Sequence, residues 1–562
     1  MAYVAAEPAP DVSELRAMLS KRLPRYMVPQ SIVVVDQMPL TSHGKIDEAA
    51  LAALPVDDGP SAAPETETEA ALVAVLSELL DGVEIDVTAE FLQLGLDSIV
   101  ALSVVQGARR RGIPLRARLM LECATIRELA AAIDNESAIA DHQDDEGSGP
   151  IPVLPNVHWL YEHGQPRRLA QTETIRLPEG ITRPDLDRML KAVVDGHEAL
   201  RSRLDVDTMT LVEHEPASFL TEVLIKGDMV DAVAEHSAHA VERLDPQRGS
   251  MLSAVWLREP AGPGVLMLVA HVLALDPASW RIVLGELDAS WHTIKSGRDP
   301  LPATEYTSYR RWSRLLAERA AELDTCDYWA AQLEGADPVL GTRRIQPKTD
   351  RIGDVVVTMS LTDAEVSARV LGGAQPPQNI LAAAAARTID RWREHRGQDQ
   401  VPPLLALETH GRADGIMGDT DTSDIVGLLT AIYPLRMDAP GAIEAMPGDG
   451  IDFGLLRYLR TDTAQRLRAY PDPQVLLNFL GRVHVGTGGE LSPDRALLAR
   501  VSPRPEPDLA VRHELTILAA VIGDADNPVL GTQWRTLPSI LSAEDVATLQ
   551  SMWQDSLREV AP

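Results

Sequence analysis

Apolar and polar residues follow different rhythms along the chain, and each rhythm predicts a different kind of element. DVSELRAMLSKRL (11–23) spaces its apolar residues as a helix does, with Asp11 or Ser13 placed to cap it, whereas SIVVVD (31–36) is β-branched and strand-like. EAALVAVLSELL (69–80), SIVALSVVQGARRRG (98–112) and TIRELAAAI (125–133) keep the helical period throughout, which predicts a small all-helical unit. Further on, short strand-like runs such as VLMLVAHVLAL (265–275) alternate with longer helical stretches such as PDLDRMLKAVVDGHEALRSRL (184–204), the pattern of a layered α/β structure. VDDGPSAAPETET (56–68) and DNESAIADHQDDEGSG (134–149) break the periodicity and read as linkers. The expected organisation is therefore a short piece at 1–55, a linker at 56–68, a helical unit at 69–134, an acidic linker at 135–149 and a large block at 150–562. A block of that size exceeds one typical core, so it should have two lobes, approximately 150–340 and 341–562.

Composition narrows the function classes. Against 52 Lys+Arg stand 83 Asp+Glu, a net charge of −31, and so acidic a surface repels phosphate backbones and anionic headgroups. Neither nucleic acid nor a membrane surface is an expected partner. Two cysteines, Cys123 and Cys326, supply neither a disulfide framework nor a metal cage, and both read as small buried hydrophobes. The N-terminus lacks the basic start and apolar core of a signal peptide, and no apolar run is long enough to span a bilayer, so the cytoplasm is the expected compartment.

FLQLGLDSI (91–99) sets Ser98 behind Asp97 at a helix start. A serine there can simply be an N-cap, worth about 1 kcal/mol. LGLDSI, however, resembles the attachment motif of peptidyl carrier proteins, and the length and helical pattern of 69–134 resemble that family, a small four-helix domain. The resemblance implies that Ser98 carries 4′-phosphopantetheine, added by a phosphopantetheinyl transferase, whose thiol holds a peptide as a thioester. LPRYMVPQSIVVVDQMPLTSHGKID (23–47) resembles the end of an adenylation domain, with Lys45 on the lysine that contacts the adenylate. The sequence begins after the nucleotide-binding core of that family, so no adenylation is expected from this polypeptide.

Beyond residue 150, HEALRSRL (197–204) resembles a core motif of the condensation superfamily of nonribosomal peptide synthetases. TSYRRW (307–312), LETHGR (407–412), DIVGLLTAIYP (424–434), DFGLLRYL (452–459) and PQVLLNFLGR (473–482) resemble its epimerization branch. The implied fold is a pair of chloramphenicol-acetyltransferase-like lobes with a tunnel between them. Epimerization removes the Cα proton on one face and returns one on the other, so acid/base groups must reach that carbon. The branch uses His-His-x-x-x-Asp-Gly, with the second histidine and the glutamate of Glu-Gly-His-Gly-Arg moving protons. AHVLALDPASW (270–280) sets His271 on the first histidine, Val272 on the second, Asp276 on the aspartate and Pro277 on the glycine, while Glu408 survives beside Thr409.

An isopropyl group moves no proton. At about 10²–10⁴ in rate for positioned acid/base catalysis, its presence removes roughly 3–5 kcal/mol of transition-state stabilisation. Pro277, by fixing φ and lacking an N–H, is expected to stiffen the tunnel loop. His271 reads as a core residue. Asp276 reads as a loop anchor paired to an arginine, with Arg281 the candidate, and Glu408, His410 and Arg412 read either as a folding network or as residual function. The leading expectation is a vestigial pocket on a binding platform resembling the X domain of glycopeptide-antibiotic synthetases, which recruits tailoring cytochrome P-450 oxygenases to crosslink the carrier-bound peptide. The alternatives are an epimerase working through Glu408 and, behind it, a peptide-bond-forming condensation domain. Neighbouring synthetase domains are implied partners, and no metal is expected.

Overall fold

The computed structural model describes residues 2–5, 32–35, 38–39, 51, 62–79, 85–89, 91, 98–135 and 147–561, apart from 216–219, 261, 373–374, 414–416, 418–419, 440, 483–489, 500–505, 507–508 and 524–527. The predicted helix at 11–23, Lys45, Asp97 and most of both linkers lie outside the described residues. In the first piece, the β-branched run forms β2 (Ile32–Val34), paired in parallel with β1 (Ala2–Val4).

In the helical unit, α1 (Glu67–Leu79), α2 (Ser98–Arg110), α3 (Ala117–Glu122) and α4 (Ile126–Asn135) turn their apolar stripes onto one core of Leu72, Val75, Leu76, Val104, Val105, Leu115, Ile126 and Leu129. Positions 72, 75, 76 and 79 are three or four apart, as one helix face requires. Cys123 and Cys326 are half-buried rather than enclosed, each packed at the margin of a core.

The first lobe of the large block is built on β3 (Ala170–Arg176), β4 (Leu220–Leu224), β5 (Leu252–Arg258) and β6 (Val265–His271), in spatial order β3-β6-β5-β4. Both faces of β6 are covered. Leu266, Leu268 and Ala270 meet a core shared with α5 (Arg183–Gly196) and α6 (Pro277–Lys295), while Val265, Met267 and Val269 pack with Val233, Ala240 and Val241 of the helix Met229–Glu242. Burial on both sides is why this strand reads as one continuous apolar run.

The second lobe carries a six-stranded sheet of β7 (Val356–Leu361), β8 (Leu404–Thr409), β9 (Ala431–Arg436), β10 (Val475–Arg482), β11 (Leu515–Ile522) and β12 (Val529–Thr536), ordered β7-β12-β11-β10-β8-β9. One face is packed by α7 (Pro377–His395) and α8 (Ala543–Val560) around Trp392, Trp534 and Trp553. In β11, Leu515, Ile517, Ala519 and Val521 are buried on that face, and Thr516, Leu518, Ala520 and Ile522 point away from it, half-buried. The lobes interleave: Ile425, Val426, Leu428 and Leu429 belong to the first lobe's core, and Ser492–Pro493 pairs with β3. No single cut near residue 340 separates them.

Candidate functional site

Strand β6 ends at His271, and the chain turns sharply there into α6. The His271 ring is buried with both nitrogens engaged: Nδ1 accepts from the Leu273 N–H at 3.1 Å and Nε2 donates to the Pro166 carbonyl at 3.0 Å. Burial holds it down at about 4, so it is a neutral structural imidazole. The neighbouring Val272 is half-buried, its side chain resting against the first lobe's core. Pro277 occupies the first turn of α6, where an N–H would have no helical partner and the fixed φ is already suitable. The proline that sequence reading expected to stiffen a tunnel loop is instead an ordinary helix opener.

Asp276 caps α6 and anchors the seam between the lobes. Its carboxylate accepts from the Ser279 N–H and hydroxyl, each at 2.7 Å, from the Leu429 N–H at 3.1 Å, and from Arg412 Nη1 at 2.9 Å and Nη2 at 3.2 Å. The arginine expected here was Arg281, inside the same helix; the partner is Arg412 in the turn after β8. Arg281 faces the other way, donating to the Arg482 carbonyl at 2.8 Å. Arg412 is placed by Gly411, whose φ is +66° and whose missing Cβ would stand 1.7 Å from the Leu429 carbonyl oxygen. No side chain fits there, so the turn in LETHGR depends on glycine.

Glu408 lies near the end of β8, paired in register with Asn478 on β10, and accepts from the Asn478 amide at 2.8 Å. Burial and the negative charge of Asp276 push its carboxyl up to about 7, against the lowering influence of Asn478 and Arg535. His410 accepts the Arg412 N–H on Nδ1 at 3.1 Å and is held down at about 4, first by burial and then by Arg412. The structure thus gathers His271, Asp276, Glu408, His410 and Arg412 at one seam. Of these, Glu408 alone has a carboxyl tuned to exchange a proton near neutral pH.

The helical unit is docked on this block through one face of α2. Ser103, Gln106 and Arg109 recur every third residue and so share that face. Gln106 donates to the Ser423 carbonyl at 2.8 Å; Arg109 donates to Asp421 at 2.5 Å, Asp424 at 3.0 Å and the Ser423 hydroxyl at 3.1 Å; Ser103 meets Arg281 at 3.4 Å. Asp421 also accepts from the Ala117 N–H at 3.0 Å, and Arg116 lies 5.5 Å over the Tyr306 ring. Burial raises Asp424, with Arg109 opposing and Asp421 adding. Ser98 is the first residue of α2, about 7.5 Å along the axis from Ser103. Arg281 bridges Ser103 to the Arg482 end of β10, the strand that carries Asn478.

Sequence reading missed Asn478, which lies inside PQVLLNFLGR but draws no attention without its partner strand. It also missed a buried triad: His197 Nδ1 is 2.8 Å from Glu305 and Nε2 is 3.0 Å from Glu286. Burial pulls that imidazole down, but the two carboxylates outweigh it and push it up to about 10. Glu305 also accepts the Val426 N–H at 3.1 Å, tying the crossing segment to the first lobe.

The condensation domain family matches residues 163–468, more than half of the chain. The chain belongs to the condensation domain family. The phosphopantetheine attachment site family matches residues 70–133, so 4′-phosphopantetheine is the covalent cofactor of the helical unit, and the C-terminal domain of AMP-binding enzymes matches residues 1–45. One polypeptide of the linear gramicidin synthase of Brevibacillus parabrevis is 29% identical over 515 residues, 85% of this chain but 6% of that protein, so the chain spans a small part of the synthase it matches. Two solved structures share the fold. The epimerization domain from the third module of tyrocidine synthetase B has a TM-score of 0.62 and 16% identity, covering 74% of this chain and 99% of that one. The X-domain in the complex of the X-domain and OxyB from teicoplanin biosynthesis has a TM-score of 0.53 and 17% identity, covering 76% and 96%. This condensation-family chain therefore carries, in order, an adenylation-type C-terminal segment, a phosphopantetheine carrier and a condensation-type block, the domain types of nonribosomal peptide synthetases. Among the described residues there is no cluster able to hold a metal ion, and no helix long and apolar enough to cross a membrane.

Proposed function

We propose that Ser98 carries the phosphopantetheine and that the condensation-type block receives the tethered peptide without epimerising it, serving as a platform for a tailoring cytochrome P-450 oxygenase. Val272, an apolar side chain where the proton carrier belongs, carries this reading. Ser98 suits the attachment: it opens a 13-residue helix, where unpaired backbone N–H groups favour a phosphate. When bound, the group supplies the thiol that holds the acyl chain. The chain's own residues then divide the work. Ser103, Gln106 and Arg109 orient the carrier, Asp276 and Arg412 hold the lobes in register, and His271 is spent on its two structural bonds. In this reading residues 1–55 are an adenylation-type C-terminal subdomain, 69–134 a four-helix carrier and 150–562 an X-type domain. A phosphopantetheinyl transferase, neighbouring synthetase domains and the oxygenase are its partners in the cytoplasm. The oxygenase is assigned by analogy with the teicoplanin X-domain, which forms a complex with OxyB.

Titrating the phosphopantetheinylated full chain against the P-450 oxygenases encoded beside it tests this directly. A saturable complex that persists in Glu408→Gln is expected; absence of any complex overturns the platform. A second reading, epimerization through Glu408, is favoured by its carboxyl near 7 and by Asn478, which fixes its orientation. It requires Cα exchange that Glu408→Gln abolishes.

A further inference from the structure

The sheet of the second lobe has a face that its helices do not cover, and the strand register traces it outward from the candidate site. Glu408 pairs with Asn478, Asn478 with Leu518, Leu518 with Gln533, and Gln533 with Met359, so these five side chains stand in one row on one face. The next row is Ala520, Gly531 and Leu361. Leu518, Ala520 and Ile522 are half-buried, while Met359 and Leu361 are each 61% exposed and Val357 is 49% exposed. Gly531 forms a low floor: a Cβ there would stand 3.2 Å from Ile522 Cδ1 and 3.6 Å from Leu361 Cδ2. Folded chains seldom leave an edge strand such as β7 with its large apolar side chains uncovered.

We propose that this face is a bed for the upstream residues of an apolar carrier-bound peptide of about five or six residues. The inference rests on the reading that the Ser98-tethered chain arrives at Glu408. Two observations choose this occupant. An apolar path through Leu518, Ala520, Gly531 and Leu361, flanked by the Gln533–Arg535 pair, adjoins Asn478 and Glu408, and the docked carrier helix is bridged through Ser103 and Arg281 to the Arg482 end of β10, the strand carrying Asn478. Length follows from geometry. From β8 to β7 is four strand spacings of about 4.8 Å, roughly 19 Å. An extended peptide rising about 3.3–3.6 Å per residue covers that distance in about five to six residues. The first two or three lie over Asn478 and Leu518, and the later ones reach Gly531, Met359 and Leu361.

The test uses the full chain with Ser98→Ala, so that no attached arm competes, and non-hydrolysable pantetheine amides of alternating Leu-Ala peptides one to seven residues long. Affinity is measured by calorimetry. It is expected to rise at least tenfold between two and six residues and then level off. In Met359→Asp/Leu361→Asp, at exposed positions, the six-residue probe should fall back to the two-residue value while the one-residue probe is unchanged. Gly531→Leu, which raises the floor, should do the same and guards against misfolding of the double variant. Binding that is independent of length, or length dependence that survives both variants, overturns the proposal while leaving the platform reading in place. Failure to bind even the one-residue probe overturns both. Concentration-dependent dimerisation abolished by the same substitutions, without length dependence, assigns the face to a second copy and overturns the peptide bed.

Discussion

At the seam between the lobes the Asp276 carboxylate accepts five donors and is fully buried, whereas the Glu408 carboxylate, on the strand that leads to Arg412, is half-buried and accepts from the Asn478 amide. The first site is saturated: it caps α6, receives the guanidinium from the other lobe and leaves no lone pair for a substrate. The second keeps unused acceptor capacity and a carboxyl near 7. Residues that look catalytic in sequence thus separate by environment into a structural knot and one titratable group. The Asp276–Arg412 pair locks the lobes together and by itself says nothing of turnover.

The largest expected effect comes from breaking the knot. Arg412→Ala leaves the buried Asp276 charge uncompensated and should cost about 3–5 kcal/mol in urea unfolding, with Arg412→Lys milder because it keeps the charge but loses the two-pronged geometry. Next is the His197 triad. Its imidazole is raised from 6.5 to about 10 in the folded protein, so its stabilisation is complete below pH 6.5 and is lost as pH rises through 10. Thermal unfolding from pH 6 to 10 should show that decline, and His197→Gln should flatten it from a lower starting stability. Arg109→Ala removes the charge-assisted bonds to Asp421 and Asp424, and docking of the carrier should weaken by about 1.5–3 kcal/mol, visible as a larger radius of gyration in small-angle scattering. Smallest is Glu408→Gln, expected within about 0.5 kcal/mol of the parent because the amide replaces a carboxyl that burial already disfavours in its charged form. A loss as large as that of Arg412→Ala would erase the contrast between the two sites.

Much of this was legible in the chain. Helical spacing marked the carrier's α1, α2 and α4, and the apolar run before His271 marked a doubly covered strand. What failed was pairing across distance. Arg281 is near Asp276 in sequence, yet a helix carries it outward, while Arg412 reaches Asp276 from 136 positions away through a turn that glycine permits. Pro277 looked obstructive because its neighbours read as a loop; with Asp276 as the cap, it falls where helices accept proline. Asn478, the His197 triad and the interleaving of 425–429 into the first lobe depend on strand order and lobe packing, which no local period encodes.

Because Pro277 is accommodated, an imidazole can be placed at position 272 by itself. The decisive measurement loads Ser98 with an L-peptidyl arm in deuterated buffer and follows deuterium at Cα in the full chain, in the isolated carrier and in Val272→His. The expected result is exchange in the full chain no faster than in the carrier, with Val272→His accelerated toward the roughly 10²-fold that positioned acid/base catalysis supplies. Rapid exchange with inversion in the unsubstituted chain, abolished by Glu408→Gln, would contradict the platform and make Glu408 the working base.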